Sequence, residues 1–275
     1  MPYNTFVITK NWRNIKPPPG SQINFGHPLA QGLVGCWLMN EGGGRRIADL
    51  ASLNSLNFSV SSDVWGLTKR GFVAFNNAVT ASGGFHTNTA RFIPTKNVTI
   101  VINKFKTDTT NRASSGFGVL NSDLGTSRRC GAHLPWSDGI VYWDFGGATG
   151  SNRISKSGLT FGDDIWAFSA GDKGMKMYQN SILWASSTTS ITRGTTNAID
   201  FYIGNGNNDA ALYSTDICKF GFCYFYNRIL LPSEVRDLSF APYQFIQPRV
   251  YRFYSVPAGV SANVLTRRRV FLSCS

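Results

Sequence analysis

The strongest period-two pattern in the chain lies over residues 217–225, where Cys218, Phe220, Phe222 and Tyr224 fall on one face and Cys223 and Phe225 on the other. Gly221 is the one small break. Both faces are apolar, so this strand is expected in the middle of a sheet covered on both sides. A helical pattern follows directly. Pro232 suits a first helical position, whose N–H has no intrahelical partner. Glu234 puts negative charge in the first turn, and Leu231, Val235 and Leu238 form one apolar stripe. Leu231 stands where a Ser cap would be usual, a loss of about 1 kcal/mol, so the helix must rely on docking its stripe onto the sheets.

Elsewhere the pattern is of short strands separated by turn residues. They are expected at 56–60, 71–75, 97–105, 117–120, 140–145 and 199–204, with Val98, Ile100 and Ile102 sharing one face. Residues 166–170, 175–180 and 182–185 read as three strands joined by a glycine turn at 171–174 and a tight turn at Asn180-Ser181, with Asn180 at positive φ. Residues 106–115 read as a polar loop, and 122–139 as a long loop carrying Arg128, Arg129, Cys130, His133, Trp136 and Asp138. At the start, 5–9 reads as an edge strand and Pro17-Pro18-Pro19-Gly20 as polyproline II. After Pro242 aromatics alternate with arginines, and the pattern becomes that of a tail, strand-like over 250–256. Many short strands, one helix, 28 glycines and 13% aromatic residues indicate an all-β sandwich or barrel, and 275 residues fit one such unit.

Charge changes the picture at the ends. The net charge is +12, of which residues 1–31 hold +3 and residues 241–275 hold +5, with no acid in either segment. Solvated tails and arms lying on an acidic surface are both consistent with this. No apolar h-region opens the chain, and no apolar run approaches the ~18 residues needed to cross a bilayer. The five cysteines, Cys36, Cys130, Cys218, Cys223 and Cys274, form no C-x-x-C. Cys218 and Cys223 are expected on opposite faces of one strand, so all are read as reduced core residues of a protein made in a reducing cytosol.

Four stretches carry a family resemblance. They are the opening 32–50 with Trp37, Asn40, Glu41, Gly42, Gly44, Asp49 and Leu50; the hairpins over 164–185; the strand near 199–204; and the strand-helix unit from 217 to 245. In this order they resemble laminin-G-like domains of the concanavalin A-like lectin/glucanase superfamily, with Ser181 in place of the usual turn glycine. The resemblance implies a two-sheet antiparallel jelly-roll (concanavalin A-like) sandwich with one short C-terminal helix. The wording from Lys16 to Gly44 more specifically resembles such domains encoded in tailed-phage genomes. Fold resemblance of this kind is strong for architecture and weak for function.

Catalytic chemistry finds little support. A glucanase needs paired carboxylates at set spacing. The chain has two glutamates, Glu41 and Glu234, and neither Asp163-Asp164 nor Asp138/Asp144 alternates correctly. There is no G-x-S-x-G, and His27, His86 and His133 lie in unrelated loops. The glycines at 42–44 are not followed by Gly-Lys-Ser/Thr, so they form no phosphate loop. Cys130-x-x-His133 lacks a second ligand pair. Asn205, Asn208 and Asp209 carry oxygens suited to Ca²⁺, and the same stretch reads equally as a plain turn. Sugar binding calls for an aromatic platform beside amides and carboxylates, and Trp136, Asp138, Tyr142, Trp143, Asn207, Asp209 and Tyr213 are the candidates. Tyr142 and Trp143 alternate on one strand, so one of the two belongs to the core.

The expectation is therefore a non-enzymatic virion structural protein with no resident cofactor, decorating a phage capsid or tail. Its arms would be residues 1–31 and 242–275 around a sandwich at 32–241. Attachment is assigned to Arg13, Lys16, Arg249, Tyr251, Arg252, Phe253, Arg267, Arg268 and Arg269. Partners would be virion proteins, further copies of the chain and surface glycans; no membrane or nucleic acid is expected. A free carbohydrate-binding lectin is the main alternative, and a glycoside hydrolase the weaker one.

Overall fold

The structure is a computed structural model that describes residues 14–52, 54–58, 64–68, 71–76, 84–87, 93–106, 110–111, 115–119, 129–194, 201–204 and 218–248. In chain order the strands are β1 (Gln22–Ile23), β2 (Leu33–Trp37), β3 (Arg46–Ile47), β4 (Leu56–Phe58), β5 (Val64–Thr68) and β6 (Gly71–Asn76). Then come β7 (Phe85–Thr87), β8 (Val98–Lys106), β9 (Phe117–Val119), β10 (Cys130–His133), β11 (Val141–Phe145) and β12 (Arg153–Lys156). The chain continues with β13 (Asp163–Gly171), β14 (Gly174–Gln179), β15 (Ile182–Ser187), β16 (Phe201–Ile203), β17 (Cys218–Tyr226), α1 (Pro232–Phe240) and β18 (Ile246–Gln247).

These strands build two facing antiparallel sheets. The front sheet has the order β12-β11-β10-β9-β16-β7-β4-β3. The back sheet has the order β15-β14-β13-β8-β17-β6-β5, with β2 added alongside β17. One edge of β17 pairs with β8 along its length, and the other with β6 over Cys218–Phe220 and with β2 over Cys223–Tyr226. Between the sheets lie Trp37, Ile100, Ile102, Phe117, Trp143, Phe145, Phe168, Phe201 and Phe225, all fully buried. Their rings meet both edge-on, as at Phe201–Phe225 (5.1 Å, 86°), and stacked, as at Trp37–Phe201 (5.9 Å, 25°).

A bulge at Gly221 corrects the face assignment of β17. The register with β8 shifts between Phe220 and Phe222. The extra residue flips the alternation, so Cys218 and Phe220 join Cys223 and Phe225 between the sheets, while Phe222, Tyr224 and Tyr226 turn to the outer side. Cys218 and Cys223 thus share one face, contrary to the sequence reading. Glycine is required here because a Cβ would stand 2.0 Å from Asn103 Oδ1. Cys36, Cys130, Cys218 and Cys223 are buried thiols, and burial holds the Cys36 and Cys223 thiols well above their ordinary pKa.

The outer face of the back sheet is covered too, by a layer the sequence reading assigned partly to free arms. Ile23, Leu29 and Ala30 from one end and Tyr243, Phe245 and Ile246 from the other pack with Val235 and Leu238 of α1 against Cys36, Val101, Phe222 and Tyr224. β1 and β18 pair antiparallel within this layer. The packed body therefore extends past the expected borders at 32 and 241, because a doubly apolar sheet needs cover on its second side. Lys16 corrects the attachment assignment: it is buried, and its Nζ donates to the carbonyls of Met39 (3.2 Å) and Gly221 (2.5 Å). Burial pulls its pKa from 10.5 down to about 7, against a smaller upward pull from Glu41.

The helix begins at Pro232 as expected, with a changed stripe. Leu230, Val235 and Leu238 are buried while Leu231, at the N-cap, is 59% exposed. Leu231 has no side-chain acceptor, so Glu234 supplies the cap alone. Its Oε2 accepts from Leu231 N (2.8 Å), and both its oxygens take the Arg228 guanidinium (2.7 Å each). The turn at Asn180-Ser181 has both residues at positive φ (50° and 73°), as a primed hairpin turn requires. The Asn180 amide bridges Ile165 N and Asp164 Oδ1, which fixes the turn without a glycine. The opening motif is structural: the Asp49 carboxylate accepts from Cys36 N, Ala51 N, Ser52 Oγ and Asn54 N, and Trp37 is core.

Candidate functional site

The front sheet leaves one face outside the core, and alternation decides what stands on it. Along β11, Val141, Trp143 and Phe145 point in, so Tyr142 and Asp144 point out. Along β10, Cys130 and Ala132 point in, leaving Gly131 and His133 outside. Registered side by side, Tyr142 lies opposite His133 and Ser155, and Asp144 opposite Gly131 and Arg153. Gly131 in turn lies opposite Gly118 of β9, where a Cβ would press on the Gly118 Cα at 3.1 Å.

A chain of polar contacts runs across this face. Asp144 is fully buried between two arginines, accepting from Arg129 Nε (2.8 Å) and from Arg153 Nε (2.6 Å) and Nη2 (2.8 Å). Those bonds hold the Arg153 pKa above its ordinary value. Arg129 Nη2 lies 3.1 Å from His133 Nε2. A guanidinium only donates, so Nε2 accepts, and the Nδ1 proton is left to donate to Ser115 Oγ at 3.1 Å. The Arg153 guanidinium lies over the Tyr142 ring at 4.5 Å. The Tyr142 hydroxyl donates to Asp138 Oδ2 (2.7 Å), which, with desolvation, raises the tyrosine pKa. Asp138 Oδ1 accepts from Ile140 N (2.9 Å), so the exposed carboxylate is fixed by both oxygens. The Trp136 ring rests on His133, centroids 4.4 Å apart. The loop bearing Trp136 and Asp138 is tied from beneath by Lys104 Nζ, which donates to the Leu134 carbonyl.

Of the seven sequence candidates, the structure brings Trp136, Asp138 and Tyr142 together and separates Trp143 from them. Trp143 is core, its Nε1 donating to Ser169 O (3.0 Å). That corrects its assignment as a glycan contact, because its neighbour Tyr142 takes the outward position. Sequence reading missed Arg153 and the carboxylate role of Asp144. It also read 122–139 as loop throughout, hiding the alternation of Cys130–His133. That alternation sends Cys130 inward, where burial pushes its thiol to about 12, and His133 outward, so the two cannot chelate together. Among the described residues no cluster of three or more His, Cys, Asp or Glu could hold a metal ion. Asn205, Asn207, Asn208, Asp209 and Tyr213 lie outside the described residues, as do Arg13, Arg249, Tyr251, Arg252, Phe253, Arg267, Arg268 and Arg269.

No protein-family model matches the chain, and no curated protein matches it. Solved structures do. Trypanosoma rangeli sialidase in complex with sialic acid superposes with a TM-score of 0.54 at 20% identity, over 76% of this chain and 33% of the sialidase. The binding domain of Paraclostridial Mosquitocidal Protein 1 gives a TM-score of 0.55 at 15% identity, over 77% of this chain and 52% of that one. The Botulinum neurotoxin serotype G binding domain gives 0.53 at 13% identity, over 75% and 50%. The likeness is one of fold alone. The chain spans about a third of the sialidases' length and about half of the toxin binding domains'.

Proposed function

We propose that the protein is a non-enzymatic, glycan-binding sandwich that contacts sugar through the outer front-sheet face at Trp136, Asp138 and Tyr142. The observation that carries this reading is the fixed exposed carboxylate of Asp138, flanked by two half-buried aromatic side chains. Sugar rings offer apolar faces to aromatics and hydroxyls to such acceptors, and a site held before binding spends little entropy on ordering. The charges of Arg129, Arg153, Asp138 and Asp144 cancel, which suits an uncharged ligand. A sialidase in complex with sialic acid is among the structures of like fold, which is in keeping with a sugar-binding use of this fold. Asp144, buried and shared by two arginines, is ill placed as a general acid, which supports a binding role over hydrolysis. The test is a glycan array with the wild type, Trp136→Ala and Tyr142→Phe. Both variants should lose signal, and retention of full binding by both would end this reading.

A second reading places the same sandwich on a virion surface, through the phage-like wording of 16–44 and the +8 charge of the ends. One observation favours it. The parts of both end segments that are described, with Ile23, Leu29, Ala30, Tyr243, Phe245 and Ile246, pack in the layer behind the back sheet, on the side away from Trp136 and Tyr142. Attachment through the ends would leave the front face free. Homo-oligomers, virion partners and a Ca²⁺ loop at 205–209 belong to this reading as proposals. Mass spectrometry of purified particles tests it: stoichiometric copies support it, and absence from particles ends it.

A further inference from the structure

Beside Asp138 the chain forms a cleft of about 490 Å³, lined by Lys106, Asn111, Asp138, Ser157, Leu159 and Phe161 among others. Its size falls within the range usual for small-ligand sites, roughly 300–1,000 Å³. Its two walls differ in chemistry. Leu159 and Phe161 are half-buried and lean on the core, and Phe161 stacks on Trp166 at 6.0 Å and 24°. Asn111, Ser157 and Asp138 are exposed and polar. The apolar wall is held in place. Thr160 O accepts from Gln179 Nε2 (2.6 Å), Gly162 O from Lys106 N (3.0 Å), and Gly162 N donates to Asp164 Oδ2 (2.7 Å). Lys106 Nζ donates to Thr110 O (2.7 Å), so the cleft's cation is already engaged on its own loop.

We infer that this cleft is a second subsite for one uncharged sugar unit, contiguous with the front-face site and sharing Asp138 with it. The inference rests on the glycan-binding reading above and extends it to a ligand of at least two units. One unit packs its apolar face on Phe161 and Leu159 and directs its hydroxyls to Asn111, Ser157 and Asp138. The next unit crosses Asp138 to reach Tyr142 and Trp136. An uncharged unit suits the cleft because its two charged lining residues, Lys106 and Asp138, balance.

The test titrates isotope-labelled full-length protein with lactose, cellobiose and N,N′-diacetylchitobiose and with their component monosaccharides, following NMR shifts. A disaccharide is expected to move Leu159 and Phe161 together with Trp136 and Tyr142. Ser157→Trp, which fills the cleft from an exposed position, should weaken that disaccharide by about tenfold and leave the Trp136 shifts in place. Asn111→Ala provides the same reading should Ser157→Trp melt below the wild type. Shifts confined to Trp136 and Tyr142, with both variants binding as wild type, would overturn the subsite and leave the front-face site standing. Shifts at neither place with any of the sugars would overturn both.

Discussion

Replacing Asp144 by Asn removes one charge without changing shape, at the point where the outer face is most tightly knit. The carboxylate has no exposed surface, and three charge-assisted hydrogen bonds end on it. The Arg129 side chain is 9% exposed and Arg153 is 29% exposed. Breaking a buried pair costs about 3–5 kcal/mol, chiefly from the cation left behind, whereas an exposed pair is worth about 0–1 kcal/mol. Arg129 should dominate, and Arg153, able to turn to water, should add little, so about 3 kcal/mol is expected. For a chain of this size 1 kcal/mol moves the melting temperature by about 2–4 °C, so a fall of about 6–12 °C follows. The assay is a thermal melt by circular dichroism, repeated with Arg129→Met and with the double variant. The double variant should recover part of the loss, since no buried charge is then unpaired. A melt of Asp144→Asn within about 2 °C of wild type would refute the reasoning, because a buried ionic knot cannot lose its centre at so small a cost.

Four further outcomes are expected. Lys16 has a folded-state pKa of about 7 against an ordinary value of 10.5, so the unfolded chain binds more protons between these two pH values. Stability should therefore rise with pH from about 7 towards 10.5, by at most about 1.4 kcal/mol per unit, and show no Lys16 contribution to the slope below 7. Urea unfolding of the wild type and Lys16→Met checks this, and identical slopes in the two proteins would sink it. Gly221→Ala should cost about 1–3 kcal/mol by forcing Asn103 aside, and an unchanged urea midpoint would remove the bulge from the argument. Trimming to residues 14–248 should leave a cooperative melt, whereas trimming to 32–241 strips Ile23, Leu29, Ala30, Lys16 and Phe245 from the body and should abolish it; a sharp melt of the shorter form would show the covering layer to be dispensable. The wild type should release no reducing sugar from β-glucans, and a release that disappears in Asp144→Asn would make that residue catalytic.

The sequence by itself determined the architecture. Alternation over β8, β13, β14 and β17, the turn at Asn180-Ser181 and the proline start of α1 are local signals, readable because neighbouring residues produce them. It also supplied Trp136, Asp138 and Tyr142, among seven candidates that included the core residue Trp143. Tertiary structure decided what each face meets. The bulge at Gly221 favours glycine because Asn103, 118 positions away in sequence, occupies the space a Cβ would need, and the register shift there reverses half of β17. Lys16 looked like a surface cation because nothing nearby in the sequence reveals that the Met39 and Gly221 carbonyls will surround it. Residues 14–31 looked like an arm because their partners, Tyr243 and Phe245, lie at the other end of the chain. Arg153 is likewise set opposite Asp144 by strand register. Period and propensity travel along the chain, whereas burial and charge pairing depend on which segments fold against one another.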